Sequence, residues 1–98
     1  MERLRLNMLE EVGETGIKIL LHLYKGRSKL TDFKKELGMG YSGIYNAVAM
    51  LLKHDLITEY NEGKARYFEL TPLGKQVTAK IWEAEQLVRD SKKPHSSK

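Results

Sequence analysis

The chain has 98 residues, 41% hydrophobic and 31% charged, with no cysteine and two prolines. This fits one compact core that buries about 60–65% of its unfolded surface, and it excludes a disulfide frame, a thiolate metal site and a thiol nucleophile. The 17 Lys and Arg against 13 acids give a net +4, but Lys92, Lys93 and Lys98 supply three of those charges, so net charge alone does not point to nucleic acid.

The N-terminal stretch from Met1 has no long apolar run behind it, so no signal peptide is expected. No run approaches the ~20 apolar residues of a membrane span, and the absence of cysteine makes a reducing cytoplasm the expected compartment. Leu4, Leu6, Met8, Leu9 and Val12 are apolar and fit either a short helix or an extended arm. A first clear helix is predicted from about Glu14 to Lys25, where Ile17, Leu20, Leu21 and Tyr24 recur at helical spacing. Gly26 ends it.

A second, shorter helix follows, with Thr31 expected as its N-cap and Asp32 in its first turn. Phe33 and Leu37 face inward, and Gly38 stops the helix. After Gly38-Met39-Gly40 a third helix runs from about Tyr41 to His54. Its inward face is Ile44, Ala47 or Val48, Leu51 and Leu52, which turns Ser42, Tyr45, Asn46, Ala49 and Lys53 outward. Two helices joined by a short glycine turn form a helix-turn-helix.

The period then changes. Ile57–Tyr60 and Ala65–Leu70 are rich in β-branched and aromatic residues and flank the turn Asn61-Glu62-Gly63-Lys64, which predicts a β-hairpin. Thr71 as N-cap and Pro72 at the first helical position start a last helix, expected to reach about Asp90. Val77, Ile81, Ala84 and Val88 form a seam at the 4-3-4 spacing of a short coiled coil, with Trp82 and Leu87 beside it. Ser91–Lys98 has no apolar residue and is expected to be a disordered basic tail behind a single domain of residues 1–90.

This order is that of an α+β, mainly helical, winged helix-turn-helix with a two-stranded wing and a C-terminal dimerisation helix. Lys29–Met39 resembles the first half of a bacterial or archaeal winged-helix regulator motif. Leu51-Leu52-Lys53-His54-Asp55-Leu56-Ile57 resembles the end of the recognition helix and the first wing strand, and Arg66–Gly74 resembles the second wing strand and the next helix start. Together these segments resemble the multiple-antibiotic-resistance and phenolic-acid-decarboxylase regulator families, over roughly Glu14 to Ile81. The resemblance implies a double-stranded-DNA-binding transcription regulator whose third helix enters the major groove.

Under that reading Tyr41, Ser42, Tyr45 and Asn46 face bases or phosphates, and Asn46 has the donor–acceptor pair that adenine requires. Thr31 and Lys34 are candidate phosphate contacts, Lys53 is a further candidate DNA contact on the outward face of the third helix, and Lys64 and Arg66 reach an adjacent minor groove or backbone from the wing. The bland alternatives are half-buried tyrosines, a solvated helix face at Lys34 and Lys35, and a hairpin edge kept soluble by Lys64 and Arg66. The sequence departs from the usual pattern at Gly40, where a Ser cap is common, at Asn46, where a base is common, and at Asp55, where Gly is common. Lys53 is the one Lys or Arg from Tyr41 to His54.

The apolar seam needs a cover, so a homodimer is expected, with Leu4, Leu6, Val77, Ile81, Trp82, Ala84 and Val88 at its interface. A two-fold dimer implies an inverted-repeat site and, most economically, repression by occupancy. The alternatives are a winged-helix protein-interaction adaptor or a non-specific DNA-coating protein. The three histidines are not spaced as metal ligands, and no catalytic motif is found, so neither an enzyme nor a cofactor is expected. No membrane partner is expected, and the sequence names no small-molecule effector.

Overall fold

The computed structural model describes residues 6–92. Four helices and a small sheet follow in chain order: α1 (Asn7–Leu23), β1 (Ser28–Lys29), α2 (Leu30–Leu37), α3 (Tyr41–Lys53), β2 (Ile57–Glu62), β3 (Ala65–Leu70) and α4 (Pro72–Lys92). The sheet is antiparallel with strand order β1-β3-β2.

The apolar segment before Glu14 is helical from Asn7, which decides between the two readings of that stretch. Gly13 sits at φ 67° and ψ −176°, a conformation essentially restricted to glycine, and it breaks α1 into two helical segments. Val12, just before the break, is buried, as are Ile19, Leu20 and Leu23 after it. These residues share one core with Ile44, Ala47, Val48 and Leu51 of α3 and with Leu56, Ile57, Phe68 and Leu70 around the hairpin. Phe33 brings α2 into that core, its ring 5.9 Å from that of Phe68.

Two sequence expectations are corrected at α2. The N-cap is Lys29 rather than Thr31, and a third strand, β1, joins the expected two-stranded wing. The causes are linked. Ser28 and Lys29 pair with Phe68 and Tyr67, which holds the chain extended up to Lys29. Asp32 then reaches back, and its Oδ2 accepts the Lys29 N–H at 2.9 Å. At the other end Gly38, at φ 66°, closes the helix through its N–H to the Lys34 carbonyl.

The connection from α3 to β2 turns at Asp55, which adopts φ 59° in the position where glycine is usual. The Leu56 N–H returns to the Leu51 carbonyl at 3.0 Å, closing a left-handed helix stop. Thr71 ties α4 to this turn. Its hydroxyl donates to the Asp55 carbonyl at 2.7 Å and accepts the Gly74 N–H at 2.9 Å, the N-cap bond expected of it. Gly74 lies so close to the Leu56 carbonyl that any Cβ there would clash.

The hairpin is tighter than expected. Asn61 and Glu62 belong to β2, and the turn is Gly63-Lys64, with Gly63 at φ 64°. A two-residue turn with positive φ follows the natural twist of paired strands. Helix α4 also runs further than expected, so Ser91 and Lys92 form its end rather than part of a tail. The remaining tail, residues 93–98, lies outside the described residues.

Candidate nucleic-acid interface

Helix α3 separates its two faces as its spacing requires. Ile44, Ala47, Val48 and Leu51 are buried, and Tyr41, Ser42, Tyr45, Asn46, Ala49 and Lys53 are exposed. Tyr41 and Tyr45 retain 40% and 55% of their accessible surface, too much for them to be core aromatics. Their rings stack on each other with centroids 6.2 Å apart. Lys34 of α2 comes up beside them, its Nζ 5.2 Å from the Tyr41 ring centre. One cation and two tyrosines thus form a continuous strip across the helix-turn-helix.

The second group lies between α2 and the wing. Thr31, at the start of α2, lines an open groove of about 460 Å³ together with Lys29, Lys64 and Arg66. All four side chains belong to exposed residues. Three cations thus converge around the first turn of α2, whose free backbone N–H groups also favour negative charge. The sequence singled out Thr31, Lys64 and Arg66 separately. The pairing of β1 with β3 is what puts Lys29 and α2 beside the hairpin tip.

Lys53 stands apart from both groups. Its Nζ bonds both carboxylate oxygens of Glu11, at 3.0 and 3.1 Å. His54 Nε2 lies 2.7 Å from the same carboxylate. The Lys53 hydrogen bond, followed by that of His54, holds the Glu11 carboxyl below its ordinary range. This exposed cluster ties the first segment of α1 to the end of α3. Sequence reasoning missed it because the partners are 42 and 43 positions apart.

Arg27 is a second residue whose role the sequence left unread. Its guanidinium lies 3.9 Å from the Tyr67 ring centre, donates to the Tyr60 hydroxyl at 2.9 Å and pairs with Glu62 at 2.6 Å. The Tyr60 bond, then Glu62, raises its already high pKa. Tyr60 and Tyr67 face each other across β2 and β3, so Arg27 clamps the outer face of the wing. The usable signal was the placement of two tyrosines and an acid on strand positions facing the same way.

The expected dimer seam divides. Val77 and Ile81 are partly buried against this chain's own core, whereas Ala84 and Val88 are exposed. Trp82 is 42% exposed and lies between two apolar grooves of about 530 and 500 Å³ along α1 and α4. Leu6 is exposed, and Leu4 lies outside the described residues. No helix among the described residues is long and apolar enough to cross a membrane. Among them no group of three or more His, Asp or Glu side chains is arranged to hold a metal ion.

No protein-family model matches the chain, and no curated protein sequence matches it. Solved structures do. The adhesin competence repressor AdcR from Streptococcus pyogenes is 24% identical, with a TM-score of 0.75 over 81% of this chain and 60% of that one. ZitR from Lactococcus lactis is 16% identical, with a TM-score of 0.78 over 84% of this chain and 64% of that one. The transcriptional repressor BigR from Xylella fastidiosa is 13% identical, with a TM-score of 0.72 over 90% of this chain and 86% of that one. The chain therefore spans less than two thirds of the length of the first two. Four helices, a three-stranded antiparallel sheet and these structural matches together make the fold a winged helix, mainly helical α+β.

Proposed function

We propose that the chain is a double-stranded-DNA-binding transcription regulator that places α3 in the major groove and the β2–β3 wing against the neighbouring backbone or minor groove. One observation carries this reading. The exposed strip Lys34–Tyr41–Tyr45 and the basic groove of Lys29, Thr31, Lys64 and Arg66 both border α2, so one duplex can meet both. Ser42 and Asn46 sit near the N-terminal end of α3, the part that reaches base edges in helix-turn-helix docking. AdcR and BigR are named as repressors, which supports a regulatory role. The resemblance to multiple-antibiotic-resistance and phenolic-acid-decarboxylase regulators belongs to the same reading.

The regulator acts as a homodimer. Trp82, which lines the grooves along α1, and the exposed Leu87 and Val88 further along α4 are apolar side chains that a second copy would cover. Two-fold symmetry sets the recognition helices one helical turn apart, about 34 Å, and the site is then an inverted repeat. Occupancy of such a site near a promoter represses transcription. Lys53 is not counted among the DNA contacts while Glu11 holds it.

The test is selection of duplexes from a random library by the full chain, followed by a salt titration. An enriched inverted repeat whose affinity falls steeply with salt is expected. Salt-sensitive binding without enrichment replaces this reading with a general DNA coater. Absence of binding at low salt replaces it with a protein-interaction adaptor.

A further inference from the structure

The exposed face of α3 has an unusual chemistry for a DNA reader. From Tyr41 to Leu52 it carries no arginine or lysine, and the following Lys53 is held by Glu11 at 3.0 Å. Guanine is read in the major groove chiefly by Arg or Lys donating to O6 and N7. What α3 presents instead is an amide at Asn46, two tyrosine rings, the Ser42 hydroxyl and the Ala49 methyl. An amide matches the N6 donor and N7 acceptor of adenine, and apolar groups match the thymine methyl.

Gly43 adds a second observation. It is exposed in the first half of α3, and a Cβ built there meets nothing within 4 Å. Intramolecular packing therefore gives no reason for glycine, which is unfavourable inside a helix. Gly43 borders Asn46 on the flank of α3 that faces α1, where both line one cleft, and a bare backbone there lets a DNA strand come close beside Asn46. The wing is consistent with this preference, since Lys64 and Arg66 are exposed at its tip and cations are drawn into the narrow minor groove of A·T tracts.

We propose that the α3 surface reads A·T base pairs, with Asn46 on adenine, the Tyr45 ring against a thymine methyl, and Gly43 admitting the helix into the groove. The proposal rests on the DNA-regulator reading and names the class of site that reading requires.

The test uses the full chain, the duplex enriched from the random library, and the same duplex with thymine replaced by uracil under α3. A·T pairs are expected at the α3 contact positions. Uracil, which lacks the methyl, is expected to weaken binding by the wild type and not by Tyr45→Ala. Asn46→Ala is expected to lose roughly 5- to 150-fold of its discrimination for adenine. Gly43→Ala is expected to bind more weakly without loss of thermal stability. Enrichment of G·C pairs under α3, indifference of the wild type to uracil, or unchanged base preference in Asn46→Ala would overturn the proposal while DNA binding stands. Failure to bind any duplex overturns the regulator reading and this inference together.

Discussion

The two faces of this small domain expose aromatic residues for opposite chemical reasons. On the α2–α3 side, Tyr41 and Tyr45 stack beside Lys34, with hydroxyls and a cation within reach of a polar ligand. On the α1–α4 side, Trp82 stands among Leu9, Ile17 and Leu21, in grooves whose lining is mostly apolar. A polar, cationic aromatic strip suits the phosphates and base edges of a duplex. An apolar cleft around a tryptophan suits a protein surface, where large aromatic side chains supply most of the binding energy. Exposure alone therefore says little about a side chain's task. Its neighbours identify the task.

The comparison predicts that the two faces share a scaffold and otherwise work separately. The largest effect is expected from the scaffold. Phe33→Ala should cost about 3–5 kcal/mol of stability in chemical denaturation, and duplex binding and self-association should fail together. Next, the double substitution Trp82→Glu and Val88→Glu should yield a folded monomer by sedimentation. It should lose about 10²-fold in affinity for an inverted repeat and keep its contact with a half-site. If the variant stayed dimeric, the α1–α4 face would not be the interface.

Smaller effects sharpen the contrast. Lys64→Ala should weaken binding to every duplex alike and reduce the salt slope by about 1, with self-association untouched. Gly43→Ala should raise stability by about 0.5–1 kcal/mol, because the added methyl meets only open space on a regular helix. The smallest effect concerns Glu11, which links α1 to the end of α3 between the two faces. Its folded-state pKa lies below the ordinary 4.5, so its contribution to stability is present above that value and lost as pH falls through the lowered one. Glu11→Gln should therefore lower stability slightly at neutral pH and flatten the acid side of the profile, so that the two proteins converge below the lowered pKa. High salt should erase the difference, because the pair is exposed.

Much of this molecule is written in short-range patterns. The periodicity of α3 separated the buried Ile44, Val48 and Leu51 from Ser42, Tyr45 and Asn46 without any coordinates, though Leu52, expected inward, is only partly buried. Thr71-Pro72 marked the start of α4, and Asp55 stood out as the residue where glycine is common. Such features depend on one residue and its neighbours within a helical turn or a hairpin, so the local sequence determines them. The length of the wing strands was less legible, because Asn61 and Glu62 have turn-like composition yet continue the ladder opposite Arg66 and Ala65.

The tertiary structure decided the rest, and in each case through partners distant in sequence. A strand of two residues carries no periodicity, and β1 exists because β3 offers Phe68 and Tyr67 to pair with. That pairing moved the α2 cap from Thr31 to Lys29 and brought Lys29 and Thr31 beside the wing tip. Arg27 had no assigned role until the hydroxyl of Tyr60, 33 positions away, came within reach of its guanidinium. Lys53 looked free until Glu11 arrived from 42 positions back. The sequence by itself determined α2, α3, the hairpin and the start of α4, and which face of α3 is apolar, because these follow from local sterics and spacing. Which charges remain free for a partner depends on contacts between distant segments, and only the folded chain brings those together.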